Sequence, residues 1–91
     1  MNLHTILQRN NELTFNLLDN EVVMMNLERG EYYGLNPIGS RIWELLAEAT
    51  TLENLINKLT EEFDVSFEQC QTDSEEFIND LIEKGLIKNL K

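Results

Sequence analysis

The hydrophobic period of the chain changes at Asn36-Pro37, and this change constrains the fold more than any other feature of the sequence. Before it, β-prone residues occur in short runs, and Leu13–Leu17 alternates apolar and polar residues as is typical of a half-buried β-strand. After it, apolar residues recur at helical spacing. Asn36-Pro37 is itself a helix start signal, because asparagine caps helix N-termini and proline suits the first helical position. The order of the patterns predicts strands followed by helices.

The strand-like part contains one hairpin and two shorter candidate strands. The hairpin joins Val22–Leu27 to Tyr32–Leu35 through the loop Glu28–Glu31, in which Gly30 is placed to take a positive φ. The shorter candidates are Thr5–Arg9 and Leu13–Leu17, followed by a turn signal at Asp19-Asn20. These segments predict an N-terminal three-stranded antiparallel sheet or hairpin.

Three amphipathic stretches predict three helices. Their apolar stripes are Ile38, Ile42, Leu45, Leu46 and Ala49; then Leu52, Leu55, Ile56, Leu59 and Phe63, capped by Thr50 or Thr51; then Phe67, Cys70, Ser74, Phe77, Ile78, Leu81 and Ile82 within a helix from Phe67 to Lys84. Gly85 ends the third helix, and Leu86–Leu90 is predicted to be a short extended tail that packs back onto the protein. The expected fold is α+β and winged helix-turn-helix-like, with residues 1–91 forming one domain.

Charge restricts the classes of partner. Seventeen acidic residues against seven basic ones give a net charge of −10, and nine carboxylates with no Lys or Arg lie between Thr60 and Glu83. Such a surface repels phosphate backbones and anionic lipid headgroups and attracts cations or basic peptides. The alternative interpretation is that the acidity serves solubility alone. We therefore expect no nucleic-acid partner and no membrane partner.

Cysteine content and the N-terminus indicate the compartment. A single cysteine, Cys70, excludes an internal disulfide and suits a reducing environment. Residues 1–5 lack the basic and apolar regions of a signal peptide, and no apolar run approaches the roughly 18 residues that span a bilayer. The expected location is the cytoplasm.

The sequence offers little for catalysis or metal binding. His4 and Cys70 are the only residues of their types, too few for a zinc site or for Cys-His nucleophilic catalysis. The carboxylates are spaced as on solvated helix faces, with no sign of the enclosure that shifts a catalytic pKa. We therefore predict a binding protein with no enzymatic activity, metal or cofactor.

A winged-helix fold also suggests a transcriptional regulator, which is the alternative of another class. The last helix of such folds often enters the DNA major groove. Here that helix carries six carboxylates against Lys84 alone, a charge of −5 that opposes binding to a polyanion.

One segment resembles a known family. Residues 26–36 read N-L-E-R-G-E-Y-Y-G-L-N and run into P-I-G-S-R-I-W-E-L-L. This is similar to the PqqD-like family, in which a hairpin of the form n-L-x-x-G-x-y-y-x-L-N leads into a helix containing G-x-x-I-W-x-L-L. The later Lys84-Gly85-Leu86-Ile87 also agrees in order and spacing. The resemblance covers about Glu21 to Leu90.

The resemblance implies a precursor-peptide recognition element for ribosomally synthesised, post-translationally modified peptides. The leader segment of the precursor would pair with the third strand, in a cleft between that strand and the third helix. The implied partners are the precursor leader, a transglutaminase-like leader peptidase and a macrolactam synthetase of a lasso-peptide pathway, which chain length favours. A PqqD-type chaperone for a radical-SAM maturase is the alternative within the family.

The residues themselves support such a site. A last strand at Glu31–Leu35 leaves one edge unpaired, which is available for strand addition. The candidate peptide-binding residues on the strands are Val23, Met25, Glu31, Tyr32, Tyr33, Gly34 and Leu35, with either tyrosine facing the cleft. Those on one stripe of the third helix are Asp73, Glu76, Phe77, Asp80 and Lys84. The competing interpretation makes the tyrosines and Trp43 core residues and the carboxylates a solvated face.

Overall fold

Strands precede helices along most of the chain in the computed structural model, which describes residues 1–11, 15–18, 21–26 and 31–90. The elements, in order, are β1 (Ile6–Arg9), β2 (Phe15–Leu18), β3 (Glu21–Asn26), β4 (Glu31–Gly34), α1 (Pro37–Leu45), β5 (Thr50–Thr51), α2 (Leu52–Glu62), α3 (Phe67–Glu83) and β6 (Ile87–Asn89). A three-stranded antiparallel sheet followed by three helices gives the expected α+β, winged-helix-like fold.

The first sheet contains the predicted hairpin and has the order β2-β3-β4. All neighbours are antiparallel, and the register places Tyr32 opposite Met25 and Gly34 opposite Val23. Glu31, expected in the loop, is the first residue of β4. Gly30 and the turn at residues 19–20 lie outside the described residues.

The second sheet joins the two ends of the chain and was not predicted as a unit. Its order is β5-β1-β6, and β1 pairs antiparallel with both neighbours. The expected extended tail is confirmed, since it forms β6 and Leu90 N donates to Ile6 O at 2.7 Å. The candidate strand at residues 5–9 is also confirmed, but β1 belongs to this sheet and not to the hairpin sheet.

The helix boundaries follow their caps. Asn36, Thr51 and Ser66 each accept a hydrogen bond through the side chain from the backbone N–H three residues later, which satisfies one unpaired donor of α1, α2 and α3. Gly85 follows α3 with φ +76°, as predicted. The expectation for Ala49 was wrong: α1 ends at Leu45, and Ala49 is exposed beyond it.

The core lies where α1, α2 and α3 meet the β5-β1-β6 sheet. Its buried apolar residues are Leu7, Leu35, Ile42, Trp43, Leu46, Leu52, Leu55, Ile56, Leu59, Cys70, Ile78, Leu81, Leu86 and Ile87. Trp43 is fully buried, and the Arg9 guanidinium lies 5.6 Å from the centre of its ring. No helix among the described residues is long and apolar enough to cross a membrane.

A surface ion pair connects α1 to the end of α2. Arg41 donates two hydrogen bonds to Glu62, from Nε to Oε1 at 2.7 Å and from Nη2 to Oε2 at 2.9 Å. This is the bidentate geometry in which arginine binds a carboxylate most strongly. These bonds lower the pKa of Glu62 below its ordinary value of 4.5, although partial desolvation acts in the opposite direction. Glu62 in turn raises the pKa of Arg41.

We expect Glu62→Gln to lower the free energy of unfolding at neutral pH by about 0.5 kcal/mol, since solvent screening keeps partly exposed pairs weak. A lowered folded pKa stabilises above the unfolded value and loses that effect as pH falls through the folded pKa. The difference between wild type and variant should therefore shrink as the pH falls below 4.5 and vanish below the folded pKa of Glu62. Urea unfolding at several pH values measures it, with Glu61→Gln as the neighbouring control. A difference that persists in acid would contradict the ion-pair explanation.

Candidate functional site

The free edge of β4 is the first component of the site. β3 occupies one side of β4, and no other described strand pairs with the opposite side. An open strand edge presents unpaired N–H and C=O groups to any extended chain that approaches it. The edge that the sequence predicted is therefore present among the described residues.

The connection from β4 to α1 is short and well fixed. Gly34 is exposed, Leu35 turns into the core with 5% of its surface accessible, and Asn36 caps α1. Ser40, itself buried, donates through Oγ to the carbonyl of Leu35 at 3.1 Å, which anchors the connection against the first turn of the helix. The end of the free edge is thereby held at a constant position relative to α1.

A cavity of about 250 Å³ begins at this connection. The described residues that line it come from α1 and its cap, the end of α2, the α2–α3 connection and α3: Asn36, Ile38, Gly39, Ile42, Leu59, Phe63, Val65, Cys70, Asp73, Ser74 and Phe77. Most are apolar, and Asn36, Asp73 and Ser74 supply the polar side chains. Because Asn36 is the second residue after β4, the cavity lies close to the end of the free edge.

Phe77 forms one wall of the cavity and brings α1 and α3 together. A Cβ atom at Gly39 would lie 3.0 Å from Phe77 Cζ and 3.1 Å from Asn36 Oδ1. Gly39 therefore leaves the space in which the half-buried Phe77 ring packs, beside the hydrogen bond from Gly39 N to Asn36 Oδ1. Phe77 therefore lies at a cavity between α1, α2 and α3. Its predicted role in a cleft between the third strand and the third helix stays a prediction.

The carboxylates of α3 differ in their surroundings. Asp73 lines the cavity and accepts a hydrogen bond from Gln69 Nε2 at 3.0 Å. Asp80 forms an ion pair with Lys84, with Nζ 2.6 Å from Oδ2. Glu76 is exposed. The three share one stripe of the helix, as predicted, but a cationic partner would meet Asp80 already paired within its own helix.

The candidate peptide-binding residues on the strands are only partly described. Val23 is half-buried, and Leu35 is a core residue whose side chain is not offered to a peptide. The side chains of Met25, Glu31, Tyr32 and Tyr33 lie outside what the structure describes. That one of the two tyrosines faces the cleft therefore stays a prediction.

The sequence interpretation missed the α1 side of the cavity. Ile38 and Ile42 were assigned to the core stripe of the first helix, and Ile42 is indeed buried. Ile38 is 37% exposed and lines the cavity, as does Gly39. The G of the G-x-x-I-W motif was the available signal, since a buried glycine in a helix often marks a close approach by another side chain.

A shallow hollow of about 380 Å³ lies between the end of α1, β5 and α2, and among its described lining residues are Glu48, Asn54, Lys58 and Glu61. Within the described ranges, no three His, Cys, Asp or Glu residues lie together as a metal site requires. Cys70 is buried, with Sγ 3.7 Å from Ser74 Oγ, and His4 is exposed.

Comparison with known proteins gives one family and one structure. A family model described as Coenzyme PQQ synthesis protein D (PqqD) matches residues 21–87, a range that includes β4, α1 and α3. The chain is similar to the solved structure of TbiB1 in complex with the TbiA(beta) leader peptide, with 30% sequence identity and a TM-score of 0.80. That similarity covers 92% of this chain and 98% of TbiB1. A comparison with curated proteins gives no match.

Proposed function

Because the chain belongs to the PqqD family, we propose that it binds the leader region of a ribosomally synthesised precursor peptide. The leader adds as a strand to the free edge of β4, in the cleft between β4 and α3, and the chain itself catalyses no reaction. The observation that carries the proposal is the open edge of β4, together with the cavity lined by Asn36, the second residue after that strand. The similar TbiB1, which was solved with a leader peptide, supports the same class of ligand.

Strand addition alone does not account for useful affinity. About four main-chain hydrogen bonds, at a net 0.5–1.5 kcal/mol each, contribute roughly 2–6 kcal/mol. Micromolar binding requires about 8 kcal/mol. One side chain buried in the cavity contributes a further 1.5–3 kcal/mol or so. Because ordering the peptide offsets part of this gain, the edge and the cavity together are consistent with a dissociation constant of about 10 μM to 1 mM.

The bound leader is presented to maturation enzymes. We assign the chain to a lasso-peptide pathway, in which it serves a transglutaminase-like leader peptidase and a macrolactam synthetase in the cytoplasm. The alternative is a chaperone for a radical-SAM maturase, which the PQQ-synthesis description of the family favours. Co-purification with candidate enzymes of each class, in the presence of a binding peptide, distinguishes the two pathways.

The test is an unbiased selection of linear peptides. A display library of random peptides is panned on the purified protein, and enriched sequences are synthesised with a fluorophore and titrated by anisotropy. We expect a recurrent sequence pattern and saturable binding in the micromolar range. Phe77→Ala should weaken that binding at least about tenfold, since it removes a cavity wall.

Phe67→Ala is the matched control for Phe77→Ala. Phe67 is also a half-buried phenylalanine of α3, but it does not line the described cavity. Equal effects of the two substitutions would place the peptide elsewhere on the protein. Failure of any peptide to be enriched would overturn the proposed function itself.

A further inference from the structure

The cavity between α1, α2 and α3 combines an apolar lining with a carboxylate. Ile38, Ile42 and Phe77 contribute apolar surface, and Asp73, an exposed residue of α3, contributes its carboxylate at the same cavity. A long side chain with an aliphatic stem and a charged end suits such a place, because the stem is buried while the charged end stays near water.

Among the described residues that line the cavity, the charged side chain is the carboxylate of Asp73. None of the described residues that line it is a lysine or arginine. No Lys or Arg occurs anywhere between Thr60 and Glu83, whereas nine carboxylates do. Because unlike charges attract at short range and like charges repel, the cavity favours binding of a cationic group over an anionic or neutral one.

Asp73 is more available to a new cation than Asp80, which lies on the same stripe of α3. Asp80 already forms an ion pair with Lys84 at 2.6 Å. The described bond to the Asp73 side chain comes from a neutral amide, Gln69 Nε2, at 3.0 Å. A cationic donor makes a stronger hydrogen bond to a carboxylate than an amide does, so it can replace the Gln69 contact at little cost.

We infer that the cavity selects leader peptides by one lysine or arginine, whose stem lies against Ile38 and Phe77 and whose cationic end pairs with Asp73. The inference rests on the proposed peptide-binding function and specifies its substrate class. The cavity, through Asp73, thus determines specificity. Strand addition to β4 supplies contacts that do not depend on the leader sequence.

The experiment uses the peptides enriched by selection on the whole protein. We expect lysine or arginine to recur at one position. Replacing that residue by norleucine, which keeps the stem and lacks the charge, should weaken binding about fivefold, as expected for a partly exposed ion pair. Asp73→Asn should weaken binding of the cationic peptide by the same factor and leave the norleucine peptide unchanged. The fivefold preference should also decline as salt is raised.

Glu68→Gln is the matched charge control. It removes one exposed carboxylate from α3, about 140° around the helix from Asp73. The affinity for the cationic peptide and for the norleucine peptide should therefore stay unchanged. An equal loss with Glu68→Gln, or enrichment with no cationic position, would overturn the inference and leave the proposed function in place. Absence of all peptide binding would overturn both.

Discussion

Trp43→Ala is expected to lower the free energy of unfolding by about 3–5 kcal/mol, the range for removing a buried tryptophan or phenylalanine side chain. Trp43 is fully buried in the core cluster. The Arg9 guanidinium also lies over its ring, 5.6 Å from the ring centre. Truncation leaves a cavity that rigid neighbours on α1, α2 and β1 fill only in part. For a domain of this size the total stability is about 5–14 kcal/mol, so the loss is a large share of it.

Thermal unfolding followed by circular dichroism measures the effect. A loss of this size lowers Tm by at least about 12 °C in a domain of under 100 residues. Glu44→Ala is the control, because Glu44 is the next residue on α1 and is exposed. Its change should stay within about 0.5 kcal/mol. Similar Tm values for the two variants would contradict the assignment of Trp43 to the core, which the sequence also favoured over contact with a ligand.

The helical half of the fold could be predicted because its signals are local. A cap acts within one turn, so Asn36 and Thr51 mark helix starts wherever the helix later packs. Gly85 likewise marks the end of α3 through its own φ of +76°. The stripe of α3 was also readable, since Cys70, Ser74 and Ile78 are buried at the expected helical spacing.

The β5-β1-β6 sheet could not be predicted because its information is not local. β1 pairs with two residues that precede α2 and with three residues near the end of the chain. A period of two identifies a half-buried strand but does not name its partner. A two-residue strand such as Thr50–Thr51 is too short to have a period at all. For the same reason the sequence did not identify the partners of the candidate strand Thr5–Arg9.

In the candidate site, too, local features could be predicted from the sequence and features formed by several elements could not. The hairpin that contains β4 and the side of α3 that carries Phe77 were predictable, because each depends on a local pattern in the sequence. The cavity was not, since it arises where α1, α2 and α3 approach one another. Gly39 is the one residue that carried this information in the sequence, and its meaning became clear once Phe77 was found 3.0 Å from its would-be Cβ position.

Strand addition predicts an alternating response to N-methylation of the bound peptide. In an extended chain, successive backbone N–H groups point to opposite sides, so every second one faces the strand to which the peptide pairs. Methylating such a nitrogen removes a main-chain hydrogen bond, leaves its acceptor on β4 without a partner and places a methyl group between the strands. We expect affinity to fall at least about tenfold at these positions and less than about twofold at the positions between them.

The measurement is an N-methyl scan of one selected peptide by anisotropy, with hydrogen exchange of the protein as an independent readout. Binding should slow amide exchange in Glu31–Gly34, the strand whose second edge is open among the described residues, and leave the paired strand β1 unchanged. A helical peptide docked on α3 would instead give losses without a two-residue period and no protection of β4. Either result would require a different binding mode, because the peptide's backbone, and not only its side chains, must contact the free edge of β4.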